Sequence, residues 1–387
     1  MRYLTSGESH GQALSAIIEG LPANLAVDIQ SVNHELSRRQ QGYGRGGRMR
    51  MEKDKIEILS GMRGGKTIGS PVHFVLYNKD WKNWADIMNV ENAAPGRELT
   101  RPRPGHADLA GGLKYDFNDL RNVLERSSAR ETAMRVAIGA FAKQLLSMFN
   151  IRIFSHVVQI GHIKVNESEI ADILRGDEIN SLADNSQVRC LHGETEAQMV
   201  ELIRETKKKG DTLGGIIQLV IRNVPPGLGS YVHWDRKLDS RLAAALISIQ
   251  AAKGIQIGQG FMAADRPGSQ FHDEIYYDDD QKRFYRKTNT SGGIEGGMST
   301  GEDIVIYLMK KPIPTLMKPL HSVDYHTKEP FEAHKERSDI TAVPAFGVIA
   351  ENVAAPIIAN TILEKFGSDT LNDIKQSYEH YLNRIKK

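Results

Sequence analysis

The spacing of apolar and polar residues divides the chain into short, recognisable elements. Val32 and Leu36, with Glu35, Arg38 and Arg39 on the other faces, predict a helix that Asp28 caps. Ala133, Val136, Ala137, Ala140, Phe141, Leu145 and Met148 recur at helical spacing and predict a second helix from Thr132 to Phe149. Two further stretches are apolar on most faces, one opened by Asp239 and running to about Lys253, the other from about Asn352 to Phe366. Helices of that kind belong in a core or at a subunit interface. Short β-branched runs predict strands at Leu14–Ile18, Ile56–Leu59, Val72–Tyr77, Ile151–Ile160, Ile216–Ile221 and Ile304–Met309. Helices and strands mix without regular alternation, which argues against a doubly wound sheet and for an α+β arrangement.

The pattern also repeats. IIEGLPANL from Ile17 resembles VIRNVPPGL from Val220, and GGKTIGSPVHFVLY from Gly64 resembles GGMSTGEDIVIYLM from Gly296. RPRP from Arg101 resembles KPIP from Lys311, and ERS at Glu125–Ser127 recurs at Glu336–Ser338. Four matches in the same order predict one domain over residues 1–387 built from two similar halves, roughly 1–200 and 201–387, with loops of unequal length. The alignment sets Ser128 against Asp339, so one half offers a hydroxyl where the other offers a carboxylate.

Composition narrows the class without selecting a function. The 387 residues are 40% hydrophobic and 25% charged, which excludes a disordered or fibrous chain. A formal net charge of +2 exerts no global pull on nucleic acid or an anionic membrane, so any anion site must be a local concentration of basic residues. The lone Cys190 and the absence of an apolar leader fit a reducing, cytoplasmic compartment. The most apolar stretch, Ala342 to Leu363, is interrupted by Pro344, Glu351, Asn352 and Pro356, so no membrane span is expected.

Glycines cluster at residues 42–47, 61–69 and 292–301, marking tight loops or places where a ligand meets the backbone. In the first cluster, RRQQGYGRGGRMR gathers Arg38, Arg39, Arg45, Arg48 and Arg50, forks suited to phosphate or carboxylate. Such a loop also reads as a solvated basic surface or an RNA-binding segment, although Tyr43 is its only aromatic. GMRGGKT lacks P-loop spacing and runs into a strand, and the 13 histidines show no metal-binding pair at helical spacing. His10 in SGESHG and His106 in RPRPGHAD, beside Arg101 and Arg103, are candidate proton carriers. A histidine among arginines regains its proton when an anion arrives. ERSSARET and RSDITAVPA each offer hydroxyls or a carboxylate ahead of a helix, and each also reads as a simple helix cap.

Together GESHG, RRQQGYGRGGRM, RPGHAD, ERSSARETA, QAAKGIQIGQGF, SGGIEGGMSTG, KPIPT and RSDITAVPA resemble the chorismate synthase family, from Met1 to about Leu363. The resemblance implies a 1,4-anti elimination of phosphate from 5-enolpyruvylshikimate 3-phosphate to give chorismate, with reduced FMN and no net redox change. It implies Arg39, Arg45, Arg48 and Arg130, with Arg103, around the anionic substrate. It further implies His106 as donor to the departing phosphate, His10 as donor to the reduced flavin, and Asp339 as partner in removal of the C6 proton. The FMN contacts it implies are Arg126, Ser127, Ser128, Gln250, Ala251, Gly296, Lys311, Pro312, Ile313, Pro314, Thr315 and Arg337. It also implies a central helical layer between two antiparallel sheets, a homotetramer, and FMN reduced by an external flavin reductase, with NADPH an indirect electron source. Arg39 and Arg45 are also where the family contacts NADP. Two other classes fit parts of the pattern: an NADPH-consuming flavin oxidoreductase, and a non-enzymatic RNA-binding protein using the arginine-glycine loop.

Overall fold

The computed structural model describes residues 1–46, 53–334 and 339–386. Strands β1 (Arg2–Ser6), β2 (Ala13–Glu19), β3 (Glu57–Ser60) and β4 (Val72–Tyr77) form an antiparallel sheet in the order β1-β2-β4-β3. In β4 the alternation is plain, with Val72, Phe74 and Leu76 buried. A second antiparallel sheet contains β5 (Arg152–Ile160), β6 (Gly215–Arg222), β7 (Ala252–Ile257) and β8 (Ile304–Lys310), in the order β7-β8-β6-β5, with the short strand Ile163–Lys164 beyond β5. The helices that position the site are α1 (Ile29–Gln40), α2 (Asp108–Tyr115), α3 (Arg121–Ser127), α4 (Thr132–Ser147), α5 (Leu238–Ile247) and α6 (Val343–Phe366). Helices and antiparallel sheets together make the chain α+β. Helix α4 packs on α1, α6 and β2, and α6 packs on α4, α5, β5 and β6. At their crossing a Cβ on Gly139 would stand 2.0 Å from the Asn352 carbonyl oxygen, so only glycine permits this approach.

Three expectations need correction. The Asp239 helix ends at Ile247, because the chain turns at Ala251, where φ is 69°, and residues 252–257 pair with β8 instead. Helix α6 begins at Val343, not near Asn352: Pro344 lies in the first turn, where a missing N–H costs nothing, and the helix continues through Pro356. The result is one uninterrupted helix long and apolar enough to cross a membrane, but 89% of its most apolar window is buried inside the fold. Its polar residues are core residues with partners. Glu351, fully buried, accepts from Arg38 at 2.8 Å, Lys143 at 2.6 Å, Ser155 at 2.6 Å and Arg189 at 3.2 Å. Lastly, a cut at residue 200 would sever the second sheet, since β5 pairs with β6 along its length.

The matched sequence segments make matching bonds. Thr67 Oγ1 donates to the Pro22 carbonyl at 2.6 Å and accepts from Leu25 N at 3.0 Å. Ser299 Oγ donates to the Pro225 carbonyl at 2.6 Å and accepts from Leu228 N at 2.8 Å. Each hydroxyl braces a two-stranded hairpin, Met62–Arg63 with Lys66–Thr67 and Ile294–Glu295 with Met298–Ser299. The tips are Gly64-Gly65 and Gly296-Gly297, at φ 58° and 75° and at 58° and 84°, conformations that exclude a β-branched residue.

Candidate active site

The heads of α4 and α6 bring the first cluster together. Arg39, at the end of α1, donates from Nε to Thr132 Oγ1 at 2.9 Å and from Nη2 to the Ala129 carbonyl at 3.1 Å. Arg130 donates from Nε to Asn78 Oδ1 at 3.0 Å and pairs with Asp54 at 2.7 Å. Arg45 pairs with Asp339 at 3.1 Å, and Gly46 N donates to the same carboxylate at 2.5 Å. Desolvation by burial lowers the Arg39 pKa to about 10, against the pull of Asp54, with Arg130 and Arg45 adding to the lowering. The same desolvation, against Asp339, lowers Arg45. Two buried guanidiniums and the half-buried Arg45, gathered near two positive helix ends, make the kind of cation cluster suited to an anion.

The basic loop is therefore neither a solvated surface nor an RNA-binding strip over its described part. Arg38 leaves the cluster altogether, turning to Glu35, Asp184 and Glu351. Arg48 and Arg337 lie outside the described residues.

Both histidines are held by carboxylates that sequence reasoning did not assign to them. His10 Nδ1 stands 2.9 Å from Glu125 Oε1, its backbone N donates to Glu125 Oε2 at 2.8 Å, and its ring stacks on Trp84 at 4.0 Å. Ser128 Oγ donates to Ser9 Oγ at 3.2 Å and also caps Arg130 N, as the cap reading of this serine expects. His106 Nδ1 is 2.6 Å from Asp108 Oδ1, at the start of α2, and Arg103 binds the same carboxylate at 2.8 Å. Burial alone would raise the Asp108 pKa, but hydrogen bonds from His106 and Arg103 win and hold it well below the usual carboxylate range. The anion expected to reach His106 from a ligand is thus already supplied in part by the protein. An ionised Asp108 accepts the Nδ1 proton, which leaves Nε2, 3.3 Å from Arg103 Nη2, as the nitrogen that can exchange one.

KPIPT follows β8 and packs on this second cluster. Thr315 Oγ1 accepts from Arg103 at 3.2 Å, Lys311 Nζ donates to the Gly105 carbonyl, and Lys311 N donates to the Ala251 carbonyl at 2.9 Å. The Ile313 carbonyl accepts from Thr212 at 2.8 Å, fixing the loop between Pro312 and Pro314. Gln250 and Arg126 meet elsewhere: Gln250 donates to Glu131 at 3.3 Å, Arg126 binds the Thr5 and Gly7 carbonyls, and both line an open cavity of about 360 Å³. Gly296 sits at its hairpin tip, which docks on residues 228–230 and not on KPIPT.

Asp108 stands two residues from His106 and could have been found by that spacing. Glu125, Asp54 and Asn78 carry no comparable local signal, because their partners lie far away in sequence.

A carboxylate paired with one of three clustered arginines, and two histidines each held by a carboxylate, are the kind of groups an enzyme uses on an anionic substrate. A model of the chorismate synthase family matches residues 1–363. Chorismate synthase of Alkaliphilus metalliredigens (strain QYMF) is 55% identical over 384 residues, covering 98% of this chain and 99% of that one. The enzyme of that name from Carboxydothermus hydrogenoformans is 54% identical over 385 residues, covering 99% of each. A solved structure described as the crystal structure of chorismate synthase superimposes with a TM-score of 0.81 at 42% identity, over 100% of this chain and 98% of that one. The chain belongs to the chorismate synthase family.

Proposed function

We propose that this site eliminates phosphate from 5-enolpyruvylshikimate 3-phosphate with reduced FMN as cofactor, and that its residues divide the work as follows. The reaction is the family's: the C3–O bond to phosphate and the C6–H bond break, a second ring double bond forms, and chorismate leaves for aromatic amino-acid synthesis. The carrying observation is the Arg45–Asp339 pair beside Arg39, a fixed carboxylate base among clustered guanidiniums. Arg39, Arg45 and Arg130, with Arg48, bind the carboxylates and phosphate. His106, oriented by Asp108 and Arg103, gives a proton to the departing phosphate. Asp339 takes the C6 proton, and His10 holds a proton at the end of the cleft set by Glu125.

The chain's residues fit FMN. Among the described residues, Ser127 Oγ and Gln250 Oε1 are buried with no hydrogen-bond partner, which leaves them for a ligand's polar groups. Ala251, a non-glycine at φ 69°, holds its backbone in a conformation typical of a ligand clamp. Arg126, Ser127, Ser128, Gln250, Ala251, the 311–315 loop and Arg337 would hold the cofactor, while Gly296, on a hairpin docked on residues 228–230, stands apart from KPIPT. Reduced FMN, when bound, supplies electron density to the substrate as phosphate leaves and recovers it afterwards.

Three coarser features complete the reading. The contacts of α4 and α6 with each other and with opposite sheets support a sandwich with a helical middle layer, and the paired hairpin bonds support an internal repeat. Leu4, Ile17 and Tyr77, 75%, 43% and 56% exposed on one face of the first sheet, support assembly into a homotetramer. The protein takes FMN reduced by a separate cytoplasmic reductase, with NADPH an indirect electron source.

The test is anaerobic: protein, chemically reduced FMN and the substrate, with phosphate release and chorismate absorbance followed together. Equimolar products that require reduced flavin without consuming it are expected. Absence of product with FMN bound would overturn the reading, and steady NADPH consumption would favour an oxidoreductase.

A further inference from the structure

Strand β8 turns Ile304, Ile306, Leu308 and Lys310 toward the interior. Three aliphatic residues followed by a lysine on one face of an inner strand place an ammonium where the apolar core gives way to the arginine cluster. Lys310 is 6% exposed, and its Nζ donates to the Lys311 carbonyl at 3.3 Å. An ammonium carries three donors, so this bond leaves capacity for a ligand. The charged groups acting on it are Arg45 and Lys311, which repel it, and Asp339, which attracts it. Its neighbours across the sheet, Gly215 and Ala252, are uncharged. Asp339 also serves Arg45 and Gly46 N, so among the described residues acting on Lys310 one carboxylate is shared between cations.

The first sheet supplies an independent observation. The residue matched to Lys310 by the repeat is Asn78, also buried, at the end of β4. Its side chain accepts from Arg130 at 3.0 Å and donates to the Gly11 carbonyl at 2.8 Å, joining the His10 loop to the arginine cluster. Both equivalent strands thus end by delivering a polar side chain to the same site.

We propose that Lys310 is a substrate-binding residue, whose ammonium receives an anionic oxygen of the substrate beside Arg45. The inference rests on the elimination reading above. Burial, with repulsion from Arg45 and Lys311, lowers the Lys310 pKa to about 8, so the free enzyme loses this positive charge in mildly alkaline solution. An arriving anion restores it, and binding near pH 8 takes up a proton.

The experiment compares the wild-type holoenzyme with Lys310→Met and Lys310→Arg. Methionine matches the length and suits the core side of the strand; arginine keeps a charge that does not titrate in this range. Turnover is measured from pH 6.5 to 9.5, and binding of 5-enolpyruvylshikimate 3-phosphate by calorimetry at pH 8 in two buffers of different ionisation enthalpy. Lys310→Met is expected to raise KM roughly 10- to 100-fold at pH 7 with kcat within about threefold, as for loss of one charged hydrogen bond. Wild-type KM should climb above pH 8, Lys310→Arg should flatten that climb, and both variants should abolish the proton uptake. Inorganic phosphate serves as a competitor: a weakened inhibition constant in Lys310→Met identifies the phosphate as the bound group, and an unchanged one identifies a carboxylate. A folded Lys310→Met with wild-type KM and wild-type proton uptake would overturn the proposal. Failure of the elimination reading itself shows differently, as a wild type that binds the substrate and forms no chorismate.

Discussion

The two sheets share one strand order, β1-β2-β4-β3 and β5-β6-β8-β7, and carry different side chains at matching places. Thr67 and Ser299 brace equivalent hairpins with the same pair of hydrogen bonds, and α4 and α6 start at equivalent places after them. Ahead of α4 stands Ser128, which caps a turn and meets Ser9; ahead of α6 stands Asp339, ion-paired with Arg45. Just past the matched segments, Asn78 stands in the first half where Lys310 stands in the second. Inside the helices, Ala140 occupies the position of Glu351. Hairpins and helix starts are where backbone geometry leaves little choice, so they match. The side chains ahead of the helices are free to differ, and the proposed reaction calls for one base rather than two.

That contrast can be tested hardest at the heads of the two helices. Asp339→Ser gives the second half the residue of the first and removes the base. Turnover should fall by roughly 10²- to 10⁴-fold, with substrate binding by calorimetry close to wild type. Ser128→Ala should cost no more than about tenfold, and equal losses in the two variants would end the assignment of unlike roles.

The next largest effect lies within the helices. Glu351→Gln leaves Arg38, Lys143 and Arg189 buried around a neutral amide and should destabilise the fold by about 3–5 kcal/mol, read from denaturant unfolding. Burial raises the Glu351 pKa, but Arg38, Lys143 and Arg189 outweigh it and hold the carboxyl well below its ordinary 4.5. Its contribution is therefore complete above that value and is lost as pH falls toward the depressed one, so Glu351→Gln should flatten the acid limb of the stability profile.

The smallest effect is the most direct check of equivalence. Thr67→Val and Ser299→Ala each strand a buried carbonyl and a buried N–H, and each should cost about 1–3 kcal/mol. Costs differing by more than about 2 kcal/mol would mean that the two braces are not doing the same job.

Much of this scaffold could be read from the sequence, for identifiable reasons. Asp28 accepts from Gln30 and Ser31 as a capping residue should, and the apolar spacing from Ala133 to Leu145 follows the buried face of α4. Period and caps are local, and local signals survive without the fold. The start of α6 was hidden because a proline reads as an interruption until its place in the first turn is known. Strand β7 was hidden because its reason to exist is β8, about fifty residues away in the chain. In the site, the motifs marked His10, His106, Arg39, Arg45 and Asp339, whereas the groups that orient them did not stand out. Glu125 reaches His10 across 115 positions, and Lys310 looks like any lysine beside a proline-rich loop until its burial is seen.

Helix α6 also governs the order in which the molecule can be made. Twenty of its residues are buried, and they come near the end of the chain. Until Val343 and its successors leave the ribosome, α4 and the inner faces of β5 and β6 have nothing to close against, and Arg38, Lys143 and Arg189 wait for Glu351. Synthesis therefore holds a long, partly apolar nascent chain open until α6 has emerged, the situation in which chaperones are most useful. A truncation that removes α6 should behave as an unfolded protein, not as a slightly shortened enzyme.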